Sequence, residues 1–98
     1  MIDVRRTAEF TQWLRDLRDV RGRAKIVARI DRLAFGNPGD VSAVGCGVSE
    51  LRIHFGPGYR VYFMRRGKQL ILLLCGGDKS TQQTDIRRAK QLAAGEGE

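Results

Sequence analysis

The period of apolar and polar residues changes along this chain, and the changes divide it into elements. Ile2 and Val4 alternate with Asp3 and Arg5, which predicts a short edge strand. Thr7 then stands where a helix cap belongs, before Phe10, Trp13, Leu14 and Leu17 at i, i+3, i+4 and i+7. That helix is expected to end near Gly22, a suitable left-handed terminator. A second helix carries Val27, Ile30, Leu33 and Ala34 on one face, with Arg23, Lys25, Arg29 and Arg32 mostly on the other, and stops at Gly36 and Pro38. Two short helices joined by a glycine-containing turn read as a helical hairpin.

From Val48 the period becomes two. Leu51, Ile53 and Phe55 alternate with Glu50, Arg52 and His54. Gly56-Pro57-Gly58 is a turn, after which Val61 and Phe63 fall on one side and Arg60, Tyr62 and Met64 on the other. Arg66-Gly67 turns the chain again. Gln69 to Cys75 is nearly all apolar, as a central strand covered on both faces should be. Gly76-Gly77 ends it, and Ser80 with Gln83 suggests a capping box for a last helix bearing Ile86, Ala89, Leu92 and Ala93. The expected order is β-α-α-β-β-β-α, an α+β fold with a helical hairpin packed on a mainly antiparallel twisted sheet and a C-terminal helix. It forms a single domain over 1–98, with 95–98 as a frayed tail. The helices are expected to cover the Leu51, Ile53, Phe55, Val61 and Phe63 face, leaving the opposite face partly open.

Composition narrows the partners. Of 98 residues, 18 are Lys or Arg and 11 Asp or Glu, a net charge of +7. Such a surplus favours polyanions or an acidic protein. The longest apolar run, Leu70 to Cys75, is too short to span a membrane, and Asp3, Arg5, Arg6 and Glu9 break up any signal-peptide-like segment. A soluble, cytoplasmic chain with no membrane partner is therefore expected. Cys46 and Cys75 have no zinc or redox spacing and read as plain thiols.

The open face holds the candidate chemistry. If Leu51 points inward, Glu50, Arg52 and His54 point out, and by the same parity Arg60 and Tyr62 stand beside them. Lys79 follows the central strand in a Gly-Gly-Asp-Lys-Ser turn, where helix amides and the dipole suit a phosphate. A plainer reading pairs Arg52 and Arg60 with Glu50 as a surface contact of about 0–1 kcal/mol. Asp78 reads as a capping residue. No carboxylate cluster offers to hold magnesium, so neither a metal nor another cofactor is expected. There is no Walker spacing for a nucleotide and only one histidine. RNA cleavage supported by cations fits this set. The 2′-hydroxyl is the nucleophile, guanidiniums stabilise the phosphorane, and His54, Tyr62 or Lys79 moves protons.

Several blocks resemble one family: Val48-Ser-Glu-Leu-Arg-Ile, Gly56-Pro-Gly-Tyr-Arg-Val-Tyr-Phe, Leu72-Leu-Leu-Cys-Gly-Gly-Asp-Lys-Ser-Thr-Gln and Asp85-Ile-Arg-Arg-Ala. Phe10-x-x-Trp13-Leu14-x-x-Leu17 and Gly36-Asn-Pro-Gly-Asp40 extend the match. Together they resemble the HigB-like "addiction module killer protein" group of the RelE/ParE toxin superfamily. The resemblance implies the β-α-α-β-β-β-α fold and a type II toxin. For the mRNA-cleaving members it implies an endoribonuclease working on the translating ribosome, with basic residues of the sheet and a neighbouring loop contacting the RNA. It also implies a HigA-like helix-turn-helix antitoxin encoded next door, through which alone operator DNA would be met. Carried over by position, Arg52, Arg60 and Lys79 match basic functional positions. Arg65 is a further candidate RNA or phosphate contact on the parity strand, and His54 and Tyr62 come from parity alone. The last helix, Gln82 to Ala94, lacks the Tyr or His that RelE-type cutters often carry there. A ParE-like poison of DNA gyrase and an inert antitoxin-binding relative thus stay open. The antitoxin surface is expected either over the basic patch or against the helical hairpin.

Overall fold

A computed structural model describes residues 2–96. Its elements are β1 (Asp3–Arg6), α1 (Ala8–Asp16), α2 (Val20–Ala34), β2 (Val41–Gly45), β3 (Val48–Ile53), β4 (Tyr59–Arg66), β5 (Leu70–Gly77), a 3-10 turn (Lys79–Thr81) and α3 (Gln82–Glu96). The five strands form one mixed sheet in the order β1-β5-β4-β3-β2. β1 runs parallel to β5 at one edge, and the other pairings are antiparallel. No helix among the described residues is long and apolar enough to cross a membrane.

Two apolar layers hold the sheet. Under α1 and α2 lie Phe10, Leu14, Ile26, Ile30 and Leu33, packed on Leu51, Ile53, Val61, Phe63, Ile71 and Leu73, with Phe55 partly buried beside them. This is the face that the alternation predicts. Thr7 caps α1 as read: its hydroxyl oxygen accepts from the Phe10 amide at 3.0 Å and donates to the Leu74 carbonyl at 2.6 Å. The cap thereby ties α1 to the central strand.

The opposite face is not open where Tyr62 lies. Val48, Tyr62, Leu72, Leu74 and Cys75 pack against Ala89 and Ala93 of α3, with Ile86 and Leu92 alongside. β5 is apolar on both sides for this reason. Its register against β4 shifts between Tyr62 and Phe63, which places both Leu74 and Cys75 toward α3.

Four local features depart from the sequence expectation. α1 stops at Asp16, and Asp19 caps α2 by accepting from the Gly22 amide at 2.9 Å, so Gly22 lies inside α2. Gly22 is needed for close approach, because a Cβ there would sit 2.5 Å from Cε2 of Tyr59. The Tyr59 hydroxyl donates to Asp19 at 2.7 Å, and burial, then that bond, push its pKa up to about 12. β2 is an additional edge strand, joined to β3 through Cys46 and Gly47. Both have positive φ (56° and 76°), as a tight hairpin between twisted strands requires. The capping box is formed by Asp78 and Thr81 rather than Ser80 and Gln83: Asp78 Oδ1 accepts from the Ser80 amide at 2.8 Å, and the Thr81 hydroxyl oxygen accepts from the Asp78 amide at 3.5 Å. Finally, α3 continues through Glu96, so residues 95 and 96 are helical, while 97 and 98 lie outside the described residues.

Packing at Gly76 gives a prediction about stability. A Cβ there would drive into the six-membered ring of Trp13, a bulky side chain packed on the α1 face of the core. Gly76→Ala is expected to lower unfolding free energy by about 2 kcal/mol, the usual cost of overpacking. Urea unfolding of the two chains measures it, and equal midpoints would mean that α1 does not press on β5 there.

Candidate functional site

Strand parity places Glu50 and Arg52 of β3 on the same face as Arg60 and Tyr62 of β4. The register pairs Glu50 with Tyr62 and Arg52 with Arg60. β4 in turn pairs Arg60 with Gly77 of β5. Arg52, Arg60 and Gly77 therefore form one row across three strands, spanning about 10 Å at the usual strand spacing. Lys79 follows two residues past Gly77. Its amide donates to the Pro57 carbonyl at 3.4 Å, which holds the 3-10 turn beside the β3–β4 turn at the same end of the sheet. The fold thus brings Arg52, Arg60 and Lys79, the three basic residues expected to act together, to one end of the sheet.

A buried carboxylate organises the row. The Glu50 side chain has no solvent exposure, whereas Arg60 is 13% and Arg52 38% exposed. Glu50 Oε1 accepts from Arg52 Nε at 2.8 Å and from Arg60 Nη1 at 3.4 Å. Its Oε2 accepts from the Tyr62 hydroxyl at 3.1 Å and from Gln82 Nε2 at 2.9 Å. Burial alone would push the Glu50 pKa up. The hydrogen bonds from Arg52, Gln82 and Tyr62, with the Arg60 charge, outweigh it and hold the carboxyl below its ordinary value. The expected Arg–Glu pairing is therefore present, but at a desolvated carboxylate rather than on a surface. Arg60 Nε is buried without a partner among the described residues, so any contact by this guanidinium with a bound molecule falls to its terminal nitrogens.

The remaining candidates divide. Tyr62 faces the expected side but is wholly buried beneath α3, which corrects the expectation that it is exposed. Burial, then the Glu50 charge, push its pKa far up, which favours the phenol as a hydrogen-bond donor to Glu50. His54 lies past the end of β3, where parity no longer acts, and is 76% exposed. Its Nε2 is 2.6 Å from Asp40 Oδ2, and Asp40 Oδ1 is 4.0 Å from Arg52 Nη1, so His54 joins the rim only through Asp40. The hydrogen bond with His54 holds Asp40 below its ordinary pKa against burial, with help from the Arg52 charge. Arg65 does not join. It is exposed five residues further along β4 and, by alternation with the buried Phe63, belongs to the other face.

Three residues of the site, Asp40, Gln82 and Asp85, lie in the motif blocks that carry the resemblance but are not among the expected site residues, because strand and helix periodicity does not mark them. Gln82 and Asp40 come from elements that periodicity does not place against β3. Asp85 of α3 fills the space where a Gly77 Cβ would be, and its Oδ2 accepts from the Thr81 hydroxyl at 2.5 Å. Burial keeps the Asp85 pKa raised, against the Thr81 bond and with the Asp78 and Glu9 charges. A polar depression lined by Lys79, Ser80, Thr81, Gln82, Gln83 and Thr84 adjoins the row at the start of α3. Among the described residues, no three His, Cys, Asp or Glu side chains come together as they would around a metal ion. A second basic group, Arg5, Arg6 and Arg66, surrounds a depression with Leu70, Leu72 and Glu96.

The Glu50 network predicts an acid-side stability profile. A carboxyl whose folded pKa is depressed contributes stability fully above its unfolded value, near 4.5 here, and loses it as pH falls through the lower folded value. Glu50→Gln should remove that part of the acid transition and cost about 3 kcal/mol at neutral pH, as breaking a buried pair does. Denaturant unfolding from pH 7 to pH 3 checks both. Parallel profiles for the two chains would show that the Glu50 charge does not stabilise the fold.

Comparison with known proteins places the chain. It is 53% identical over 92 residues to an uncharacterized protein of Haemophilus influenzae (strain ATCC 51907 / DSM 11121 / KW20 / Rd), covering 94% of this chain and 93% of that one. Residues 12–94 match the family model described as "Phage derived protein Gp49-like (DUF891)". That stretch includes α2, the whole antiparallel part of the sheet, the basic row and most of α3. The chain thus belongs to the Gp49-like family of phage-derived proteins, which is associated with the toxins of toxin–antitoxin modules.

Proposed function

We propose that this Gp49-like toxin is HigB-like in action: an endoribonuclease that cuts messenger RNA on the translating ribosome, without a metal ion, and is neutralised by a HigA-like helix-turn-helix antitoxin. One observation carries the reading. Arg52 and Arg60 are held side by side by a buried carboxylate, with Lys79 at the same end of the sheet.

Two cations held at hydrogen-bonding distance from one carboxylate are pre-organised, so little ordering remains to be done when a phosphate arrives. Arg60 has N–H groups to spare, and Arg52 is exposed enough to reach a non-bridging oxygen. Guanidiniums grip such oxygens in pairs and keep their charge through the reaction. The RNA 2′-hydroxyl attacks the adjacent phosphorus, and the 5′-oxygen of the next nucleotide leaves. Arg52, Arg60 and Lys79 stabilise the negative charge that builds on the phosphorane. Exposed Lys79 and rim His54 are the groups placed to move protons, whereas Tyr62 acts through Glu50 as a positioning residue. The net charge of +7 adds long-range attraction for RNA.

Lys79 gives the clean test, because it is exposed and its side chain makes no ion pair among the described residues. Lys79→Ala should change stability by less than about 0.5 kcal/mol, as surface substitutions do. It should lower cleavage about 10²–10³-fold, the usual effect of removing one transition-state donor. The chain is induced alone in bacteria and transcript 5′ ends are mapped within minutes. New ends inside translated regions, reduced in Lys79→Ala, are expected. Growth arrest with intact transcripts and DNA-damage signalling would move the target to gyrase. No arrest at all would make the chain an inert antitoxin-binding relative.

A further inference from the structure

The large apolar side chains left most exposed are Val20 (73%), Val27 (37%) and Phe35 (75%), and all three belong to α2 or its cap. At 100° per residue, Val20, Ala24, Val27, Ala28 and Phe35 fall within an arc of about 100° on the side of α2 away from Ile26 and Leu33, and exposed Asp31 lies in the same arc between Ala28 and Phe35 along the helix. Ala24 and Ala28 are exposed as well. A depression runs beside this stripe, floored by Ala24, Ala28 and Phe55 and rimmed by Arg21 and Lys25. It continues toward Arg29, Arg32 and His54. α2 carries five basic residues and one acid, Asp31.

We propose that this outer face of α2 is where the antitoxin docks, and that the segment it takes is an acidic amphipathic helix. The identity of the partner rests on the toxin reading above; the chemistry of the segment comes from the surface. An apolar stripe broken only by Asp31 gains nothing from a phosphate backbone, but on the Val20-to-Ala28 side of that acid it accepts apolar anchors spaced i, i+3 or i+4 on a partner helix. A 15-residue helix is about 22 Å long, enough for several such anchors. Arg21, Lys25 and Arg32 stand along one flank of the stripe, so the complementary helix carries Glu or Asp beside its apolar face. The same charge opposes pairing of two copies through α2, because each copy would bring a surplus of four positive charges on the helix, five basic less one acidic. Hydrogen bonds tie α2 to the rest of the fold. Arg29 Nη1 donates to the Arg52 carbonyl at 2.6 Å and Nη2 to the Pro38 carbonyl at 2.9 Å, and Asp19 and Tyr59 fix the start of α2. α2 and the Arg52–Arg60 row lie on opposite faces of the sheet, with Arg29 and His54 as the residues that touch both, so the groove is probed by substitutions at neither of these two.

The test co-expresses this chain with the product of the gene next to its own and measures their affinity after purification. Ala28→Glu, Phe35→Ser and Arg32→Glu should each weaken the complex at least tenfold. Growth arrest by the same variants expressed alone should persist, which shows that they fold. Affinity should also fall as salt rises. Wild-type binding that survives all three substitutions would overturn the surface while leaving the toxin reading intact. Binding lost in Lys79→Ala but kept in the α2 variants would overturn it by moving the partner over the basic row. Self-association of the wild type that the α2 variants abolish would also overturn it, assigning the stripe to a second copy. A wild-type chain that binds no neighbour product and arrests no growth would remove the toxin reading together with this one.

Discussion

A carboxylate without solvent lies at the centre of this protein, and much of the candidate site follows from how it is satisfied. An isolated ion buried in protein costs several kcal/mol even after relaxation. Glu50 meets that cost with hydrogen bonds from Arg52 of its own strand, Arg60 and Tyr62 of β4, and Gln82 of α3. Three elements are therefore fixed to one another by one side chain. The two guanidiniums, which would otherwise repel, share Oε1 as a common acceptor. The first residue of α3 is held over the sheet by Oε2, at the end where Lys79 and the 3-10 turn lead into the helix.

Much of this architecture is legible in the sequence, for a physical reason. Strict alternation assigns Leu51, Ile53, Val61 and Phe63 to one face and Glu50, Arg52, Arg60 and Tyr62 to the other, and a strand has no third option. What alternation does not reveal is which faces are covered. Tyr62 and Glu50 read as solvent-facing because they are polar, yet α3 lies over them. The contrary signal was present in β5, where Ile71 to Cys75 is apolar on both sides. A central strand covered twice implies that its neighbour is also covered on the second face, and Ile86, Ala89, Leu92 and Ala93 supply the cover.

Other departures have local causes. Gly22 carries the signature of a helix end, but the Tyr59 ring across the core is what requires a glycine there. Asp19, three residues earlier, starts α2 by accepting from the Gly22 amide. β2 has small residues and a short span, so it forms as an edge strand through pairing with β3 rather than through its own periodicity. Asp40 and Gln82 reach the site from β2's approach and from α3. Contacts at such sequence separation leave no trace in local pattern. The division of labour between the faces follows from the same topology. One face, under α1 and α2, is a conventional apolar core with an exposed helix outside it. The other mixes apolar packing under α3 with a basic end organised by Glu50.

The central claim is that phosphate binds at this Glu50-organised end. Side-chain guanidinium and ammonium resonances report it directly when a short oligoribonucleotide with blocked 2′-hydroxyls, and so resistant to cleavage, is added to the isotopically labelled chain. Saturable shifts at Arg52, Arg60 and Lys79 that weaken steeply with salt are expected, with little change at Arg5, Arg6 and Arg66. Shifts confined to that second arginine group, or spread evenly over all the basic side chains, would contradict it.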